Sequence, residues 1–225
     1  MSTHRSLCPL DCPDLCSLSV EVDDAGRVSK VDGDDRNPLT AGFICGKVRR
    51  FPEHMYGDHR LARPRIRTGA KGSGELRDAS WDEALDLVAG KLAEVRDRSG
   101  GEAILPYAYG GCNGWLTDGS VDERLWRRLG ASRLLRTFCA EPTGAAAAGL
   151  YGRMPSVALE DYACAELVVM WGCNPAATGI HLVPILDEMQ RRGGKLVVID
   201  PRRTKVAKRA DLHLAPKVGT DLPLA

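Results

Sequence analysis

The residues best suited to chemistry are four thiols: Cys8, Cys12 and Cys16 in one short run, and Cys45 in Phe43-Ile44-Cys45-Gly46-Lys47. Soft sulfur ligands gathered about one point are how an iron–sulfur cube is held, so this grouping predicts a 4Fe-4S cluster. Structural zinc favours two close Cys-x2-Cys pairs, whereas here one close group of three is answered by a single distant cysteine, which disfavours zinc. Disulfides need an oxidising compartment. Met1-Ser2-Thr3-His4-Arg5-Ser6 has neither the apolar run of a secretory signal nor a twin-arginine pair, so a cytoplasmic location is expected. Asp11, Pro13 and Asp14 make the segment a turn, which argues against four unrelated core cysteines. Gly42 and Gly46 flank Cys45 and would let backbone N–H groups approach cluster sulfurs. Lys47 could stand between the cluster and a second redox centre, although position alone favours a solvated surface lysine.

Several elements must position these groups. Leu18, Val20 and Val22 alternate with polar residues, and Val28 and Val31 follow Asp24-Ala25-Gly26, which predicts a β-hairpin that returns Cys45 to the other thiols. Between Arg49 and Arg77 the chain is rich in Arg, Pro and Gly. Arg60, Arg63, Arg65 and Arg67 have phosphate-binding potential, with a solvated connection as the default reading. Ser80-Trp81-Asp82-Glu83 is a capping box that opens a helix over about 81–97, closed by Gly100-Gly101. A strand is expected from Ala103-Ile104-Leu105 toward the glycine-rich loop Tyr109–Gly114, and Ser120 caps a short helix through Leu129. Leu134–Phe138 reads as a strand and Thr143–Leu150 as a helix of small residues, with Cys139 at the turn between them. A lone cysteine there is more often a small buried hydrophobe than a ligand.

Leu167–Trp171 is a near-continuous apolar run, which predicts a strand covered on both faces of a parallel sheet. The loop Gly172-Cys173-Asn174-Pro175, a helix over about 179–192 and the strand Lys195–Ile199 complete a β-loop-α-β unit with a right-handed crossover. Ligands of such units bind beyond the carboxyl ends of the strands. There Asp200 offers a carboxylate for ribose hydroxyls or a guanine N–H edge, and Arg202 and Arg203 can meet phosphate, although Asp200-Pro201 is equally a strand-ending turn. No Gly-x-Gly-x-x-Gly follows the first strand, which disfavours an NAD site. Ala210–Leu214 adds a third short strand. Thr220 or Asp221 then looks like a helix cap, but too few residues follow to form the helix, so the polypeptide is expected to be the N-terminal part of something longer.

The 225 residues carry 31 Lys and Arg against 30 Asp and Glu, so bulk charge points to neither nucleic acid nor a membrane surface. No run approaches the ~20 apolar residues of a membrane span. The fold class is therefore α/β: a small β-rich iron–sulfur domain over 1–60, then a parallel-sheet cofactor-binding region over 61–225.

Together these motifs resemble the catalytic subunits of the molybdenum or tungsten oxidoreductases that carry two molybdopterin guanine dinucleotides. The group includes formate dehydrogenases, periplasmic nitrate reductases and polysulfide reductases. The resemblance rests on the four cysteines with Lys47, on Ser80–Leu85, on Trp171-Gly172-x-Asn174-Pro175, on Ile199-Asp200-Pro201-Arg202, on Ala210-Asp211-x-His213 and on Gly219-Thr220-Asp221. It implies that Cys8, Cys12, Cys16 and Cys45 ligate the cluster and that Lys47 relays electrons. It also implies that Gly172, Asn174, Asp200, Arg202, Gly219 and Asp221 hold one dinucleotide of a bis-molybdopterin guanine dinucleotide cofactor with Mo or W. Cys139 is the thiol nearest the turn where many members place a metal ligand, but counting back from Ala148-Gly149-Leu150 puts that register near Pro142, which cannot ligate. Ala140 follows Cys139 where formate dehydrogenases carry histidine, which disfavours formate. A small-molecule substrate and an electron-transfer partner protein or subunit are the implied partners. A cluster-only electron-transfer subunit of the complex I large-subunit type is the second reading, and a zinc-stabilised nucleotide-binding module the third.

Overall fold

The computed structural model describes residues 1–108, 121–135 and 140–225. The Tyr109–Gly114 loop, the cap at Ser120, Cys139 and the end of the Leu134–Phe138 segment lie outside the described residues. In chain order the strands are β1 (Ser2–Leu7), β2 (Ser17–Val22), β3 (Val28–Gly33), β4 (Arg65–Arg67), β5 (Leu76–Asp78), β6 (Leu167–Trp171), β7 (Lys195–Ile199) and β8 (Leu212–Leu214). The helices are α1 (Gly46–Arg49), α2 (Phe51–Tyr56), α3 (Trp81–Ser99), α4 (Val121–Leu129), α5 (Ala140–Tyr151), α6 (Leu182–Arg191) and α7 (Asp221–Leu224). The chain divides into two units: Met1–Cys8 with Cys12–Pro52 and Thr143–Ala225, and Pro9–Asp11 with Glu53–Pro142.

The first unit holds two sheets. In one, β1, β2 and β3 form an antiparallel meander in which Val20 stands opposite both His4 and Val31. The expected hairpin turn forms because Asp23 Oδ1 accepts from the N–H groups of Ala25 and Arg27 at 3.0 and 2.8 Å, while Gly26 takes φ +76°. β1 has no apolar alternation to announce it and is exposed along its length, so it forms only because β2 offers an edge. Leu18, Val31, Ile44 and Val48 are buried in this part of the unit and carry the chain from the hairpin to Cys45.

Beside them Asp34, only 3% exposed, accepts from Arg36 Nε at 3.0 Å and from Arg5 Nε at 2.5 Å. The Arg36 guanidinium, helped by Arg5, holds the Asp34 carboxyl well below the usual carboxylate range. A depressed folded value contributes stability that is present above the unfolded value of about 4 and is lost as pH falls below it. Acid titration of the unfolding midpoint should therefore be flatter below about pH 4 in Asp34→Asn than in the native chain. Superimposable slopes would contradict this.

The other sheet has order β6-β7-β8, all parallel. Its core joins Val168 and Met170 of β6, Leu186 and Met189 of α6, Leu196 and Val198 of β7, and Val206 and Ala207. β6 differs from its expected burial on both faces. Val168 and Met170 are buried, whereas Leu167, Val169 and Trp171 are exposed, because α6 and the turn over Leu159–Cys164 cover one face of the unit. α7 does form, as a single turn with Pro223 inside it, contrary to the expectation that too few residues remained. Thr220 occupies the N-cap position but makes no cap bond; its hydroxyl donates to Lys217 O at 2.7 Å instead.

In the second unit the Arg-rich segment is not a bare connection. Arg65–Arg67 pairs with Leu76–Asp78 as a two-stranded ribbon. α3 runs over Trp81–Ser99, slightly longer than expected, with Ser80 Oγ accepting from Glu83 N at 3.1 Å and Gly100 turning out at φ +83°. Removing that cap in Ser80→Ala should lower stability by about 1 kcal/mol, measured by denaturant unfolding. The strand expected from Ala103 is absent. Gly101–Ala103 is a 3-10 turn; Ile104 N–H closes that turn on Gly101 O at 2.9 Å, and Ile104 O accepts from Ser132 N at 2.9 Å, a single cross-chain bond that is too little for a ladder. Leu134 and Leu135 likewise belong to no strand.

Candidate metal centre and cofactor-binding edge

Cys8 directly follows β1, and its N–H donates to Cys16 O at 2.9 Å, closing the loop that carries Cys12. Leu15 adopts φ +44° and donates to Cys12 O, a tight left-handed step that turns Cys16 back toward Cys8. Cys45 stands at the N-cap of α1. It is reached through Gly42, which takes φ +76° and lies so close to β3 that a Cβ on Gly33 would fall 2.4 Å from the Gly42 carbonyl carbon. Glycine at both places therefore lets this turn press against the hairpin.

Cys8 and Cys16 are buried, Cys12 and Cys45 half-buried, and no disulfide joins the described cysteines. Burial pushes the Cys16 thiol up to about 11, and charge on Asp14, Cys8, Cys12 and Cys45 adds to the rise. All four sulfurs thus share one electrostatic neighbourhood, and bound cationic metal would relieve their repulsion. Among the described residues, no three of these sulfurs lie within 4.8 Å of one another. A single tetrahedral zinc with Zn–S near 2.3 Å would require roughly 3.8 Å between sulfurs.

The residues passed over in the sequence are Asp14 and His181. His181, 1% exposed, has Nδ1 2.8 Å from Asp14 Oδ2, Nε2 3.0 Å from both Thr40 O and Phe43 O, and Cys16 Sγ at 4.0 Å. Asp14 reads as a turn former, and His181 falls inside the helix expected over about 179–192, whereas α6 starts at Leu182. Neither carries a local signal of this contact, although a His just before a strongly apolar helix face is the one hint available.

Lys47 is not simply solvated. Its Nζ donates to Ala177 O at 3.2 Å and to Thr178 Oγ1 at 3.3 Å, tying the helix after Cys45 to the loop after β6. That loop begins at Gly172, which takes φ +61° and donates to Ile199 O at 2.9 Å. Asn174 follows with its Oδ1 buried and without a hydrogen-bond partner among the described residues, an acceptor that a ligand N–H could satisfy. At the adjacent end of β7, Asp200 Oδ1 accepts from Arg202 N at 2.7 Å, making the strand-ending turn, and Asp200 O accepts from His213 Nε2 at 2.9 Å. The Arg202 residue itself is exposed. Gly219 takes φ +83°, and Asp221 Oδ1 accepts from Trp171 Nε1 at 2.7 Å, so the C-terminal segment meets the end of β6. Beyond β8 an open cleft of about 470 Å³ is lined by His213, Leu214, Ala215, Pro216, Thr220 and Leu224. The six residues singled out for a dinucleotide thus gather at the carboxyl edge of the parallel sheet, where such ligands bind.

Comparison with known proteins matches the chain in two parts. Residues 60–225 match the family described as Molybdopterin oxidoreductase, and residues 1–57 match the Molybdopterin oxidoreductase Fe4S4 domain. The chain is 38% identical over 221 residues to "Probable oxidoreductase YoaE" of Bacillus subtilis (strain 168), covering 98% of this chain and 32% of that protein. It is 33% identical over 184 residues to the perchlorate reductase subunit alpha of Dechloromonas aromatica (strain RCB), covering 80% of this chain and 20% of that protein. Acetylene hydratase from Pelobacter acetylenicus shares the fold with TM-score 0.68 at 24% identity, over 96% of this chain and 30% of that one. The chain thus spans a third or less of the length of these relatives.

Proposed function

The chain belongs to the molybdopterin oxidoreductase family, and from that membership we propose that it forms the cluster-bearing, first cofactor-binding part of a redox enzyme. Its Fe4S4 domain and molybdopterin domain call for an iron–sulfur cluster and a molybdopterin. In this reading Cys8, Cys12, Cys16 and Cys45 hold the cluster. Gly172, Asn174, Asp200, Arg202, Gly219 and Asp221 hold a molybdopterin in its guanine dinucleotide form, with Mo or W. When bound, that cofactor supplies two-electron chemistry on a small-molecule substrate, and the cluster passes electrons singly.

The observation that carries the reading is the Lys47 bridge from the helix after Cys45 to the loop after β6. A fixed ammonium between two redox groups stabilises negative charge in transit. Asp200, already shaped by the Arg202 N–H, presents a preformed acceptor for guanine or ribose donors, and Asn174 Oδ1 awaits a donor. An electron-accepting protein partner fits this arrangement, as does a reducing compartment that keeps thiols available for metal. Cys139 as a protein ligand of the metal stays a proposal of the resemblance. Among the described residues no helix is long and apolar enough to cross a membrane.

The test is metal analysis of the full-length protein purified without oxygen. Iron together with Mo or W is expected. Iron alone would support the electron-transfer subunit, which the named reductase relative does not favour. Zinc without iron would overturn both.

A further inference from the structure

We infer that His181 is a positioning residue of the iron–sulfur centre, pinning the two cysteine-bearing turns to the cofactor loop and placing its polar ring beside Cys16. The inference rests on the reading that the four cysteines hold a cluster. Nε2 faces the carbonyl oxygens of Thr40 and Phe43, each at 3.0 Å, and carbonyls only accept, so this nitrogen carries a hydrogen. Those two residues belong to the turn that leads into Cys45. At the other end of the ring Nδ1 lies 2.8 Å from Asp14 Oδ2, and the same oxygen receives the His181 backbone N–H at 3.3 Å. Cys16 Sγ stands 4.0 Å from Nδ1, and the ring packs on Phe43 with centroids 4.1 Å apart.

One side chain therefore grips the Cys12–Cys16 turn, the approach to Cys45 and, through its own backbone, the loop that carries Asn174. These partners are 138 to 167 residues apart in sequence. Asp14, Cys16 and His181 also bring one potential ligand atom each within 4.8 Å of the others. Cys16 belongs to the cluster, while Asp14 and the ring engage each other, so His181 acts behind a ligand. Hydrogen bonds and N–H dipoles near cluster sulfurs raise the reduction potential, because they stabilise the extra electron.

The experiment is an EPR-monitored redox titration of the full-length protein and of His181→Gln, His181→Ala and Met189→Ala, with iron counted in each. Gln can still donate to the Thr40 and Phe43 carbonyls but loses the ring nitrogen that faces Asp14 and Cys16. His181→Gln should keep its iron while its reduction equilibrium shifts about three- to tenfold toward the oxidised form, a tenfold shift being about 59 mV for one electron. His181→Ala should lose iron as well. Met189→Ala, which opens the buried core of the parallel sheet, should lower stability and leave the potential unchanged. A potential and g-values in His181→Gln equal to those of the native protein would overturn the inference, as would an equal shift in Met189→Ala. A native protein without an iron–sulfur signal would overturn both this inference and the cluster reading. An intact native signal with an unmoved His181→Gln would overturn the inference alone.

Discussion

Cys12→Ser is expected to lose the iron–sulfur cluster and, with it, much of the order of the first 50 or so residues. Serine is close in size, and Cys12 is only half-buried, so the substitution neither overpacks nor opens a core cavity. What it removes is a soft ligand, and a hard hydroxyl is a poor replacement for a thiolate on iron. The structural penalty follows from how little else holds this part of the chain. Its buried apolar residues are few, chiefly Leu18, Val31, Ile44 and Val48 beside Cys8 and Cys16, and β1 is exposed throughout. Metal binding energy is folding energy for such a segment. Iron per chain, visible absorbance and protease sensitivity of the N-terminal region report the outcome. Cys164→Ser, an exposed thiol outside the group, should change none of them. Native iron content in Cys12→Ser would remove Cys12 from the ligand set.

Leu186→Ala should carry the second large effect. Leu186 is 0% exposed and sits with Val168, Met170, Met189, Leu196 and Val198 in the core of the parallel sheet. A fully buried leucine loses its transfer free energy and leaves a cavity, so a cost of about 3 kcal/mol is expected. For a protein stable by roughly 5–15 kcal/mol that is a large fraction. A chain of this size should lose about 6–12 °C in Tm. The same core fixes the strand ends that bear Gly172 and Asp200, so the retained pterin should fall in parallel with stability. Val169→Ala, on the exposed face of β6, is the matched comparison and should cost under about 1 kcal/mol. Equal midpoints for the two variants would mean that α6 does not pack on β6 and β7 as described.

Much of this was legible beforehand because it is local. The Asp-Ala-Gly turn after β2, the Ser80 cap of α3 and the strands β6 and β7 follow from neighbouring residue types, and each formed where expected. Errors arose where a local pattern needed a distant partner. Ala103-Ile104-Leu105 has the residue types of a strand, yet among the described residues its one cross-chain backbone bond is Ser132 N to Ile104 O, and one such bond makes no ladder. β1 shows the converse: polar residues with no strand signature pair along their whole length because β2 presents an edge. The apolar run of β6 suggested two covered faces, but how many layers cover a strand is a property of the assembled unit.

The amino-acid order by itself determined which sulfurs could act together, since three of them lie within one turn and a hairpin returns the fourth. It also determined where β6 and β7 run, because hydrophobic patterning and turn chemistry act over a few residues. Only tertiary structure decided what stands behind those groups. Lys47 finds Ala177 and Thr178 across 130 and 131 residues of chain, and His181 finds Asp14 across 167. Such contacts exist once the loop after β6 folds against the cysteine turns, and no pattern within a few residues encodes a meeting set by the packing of two sheets.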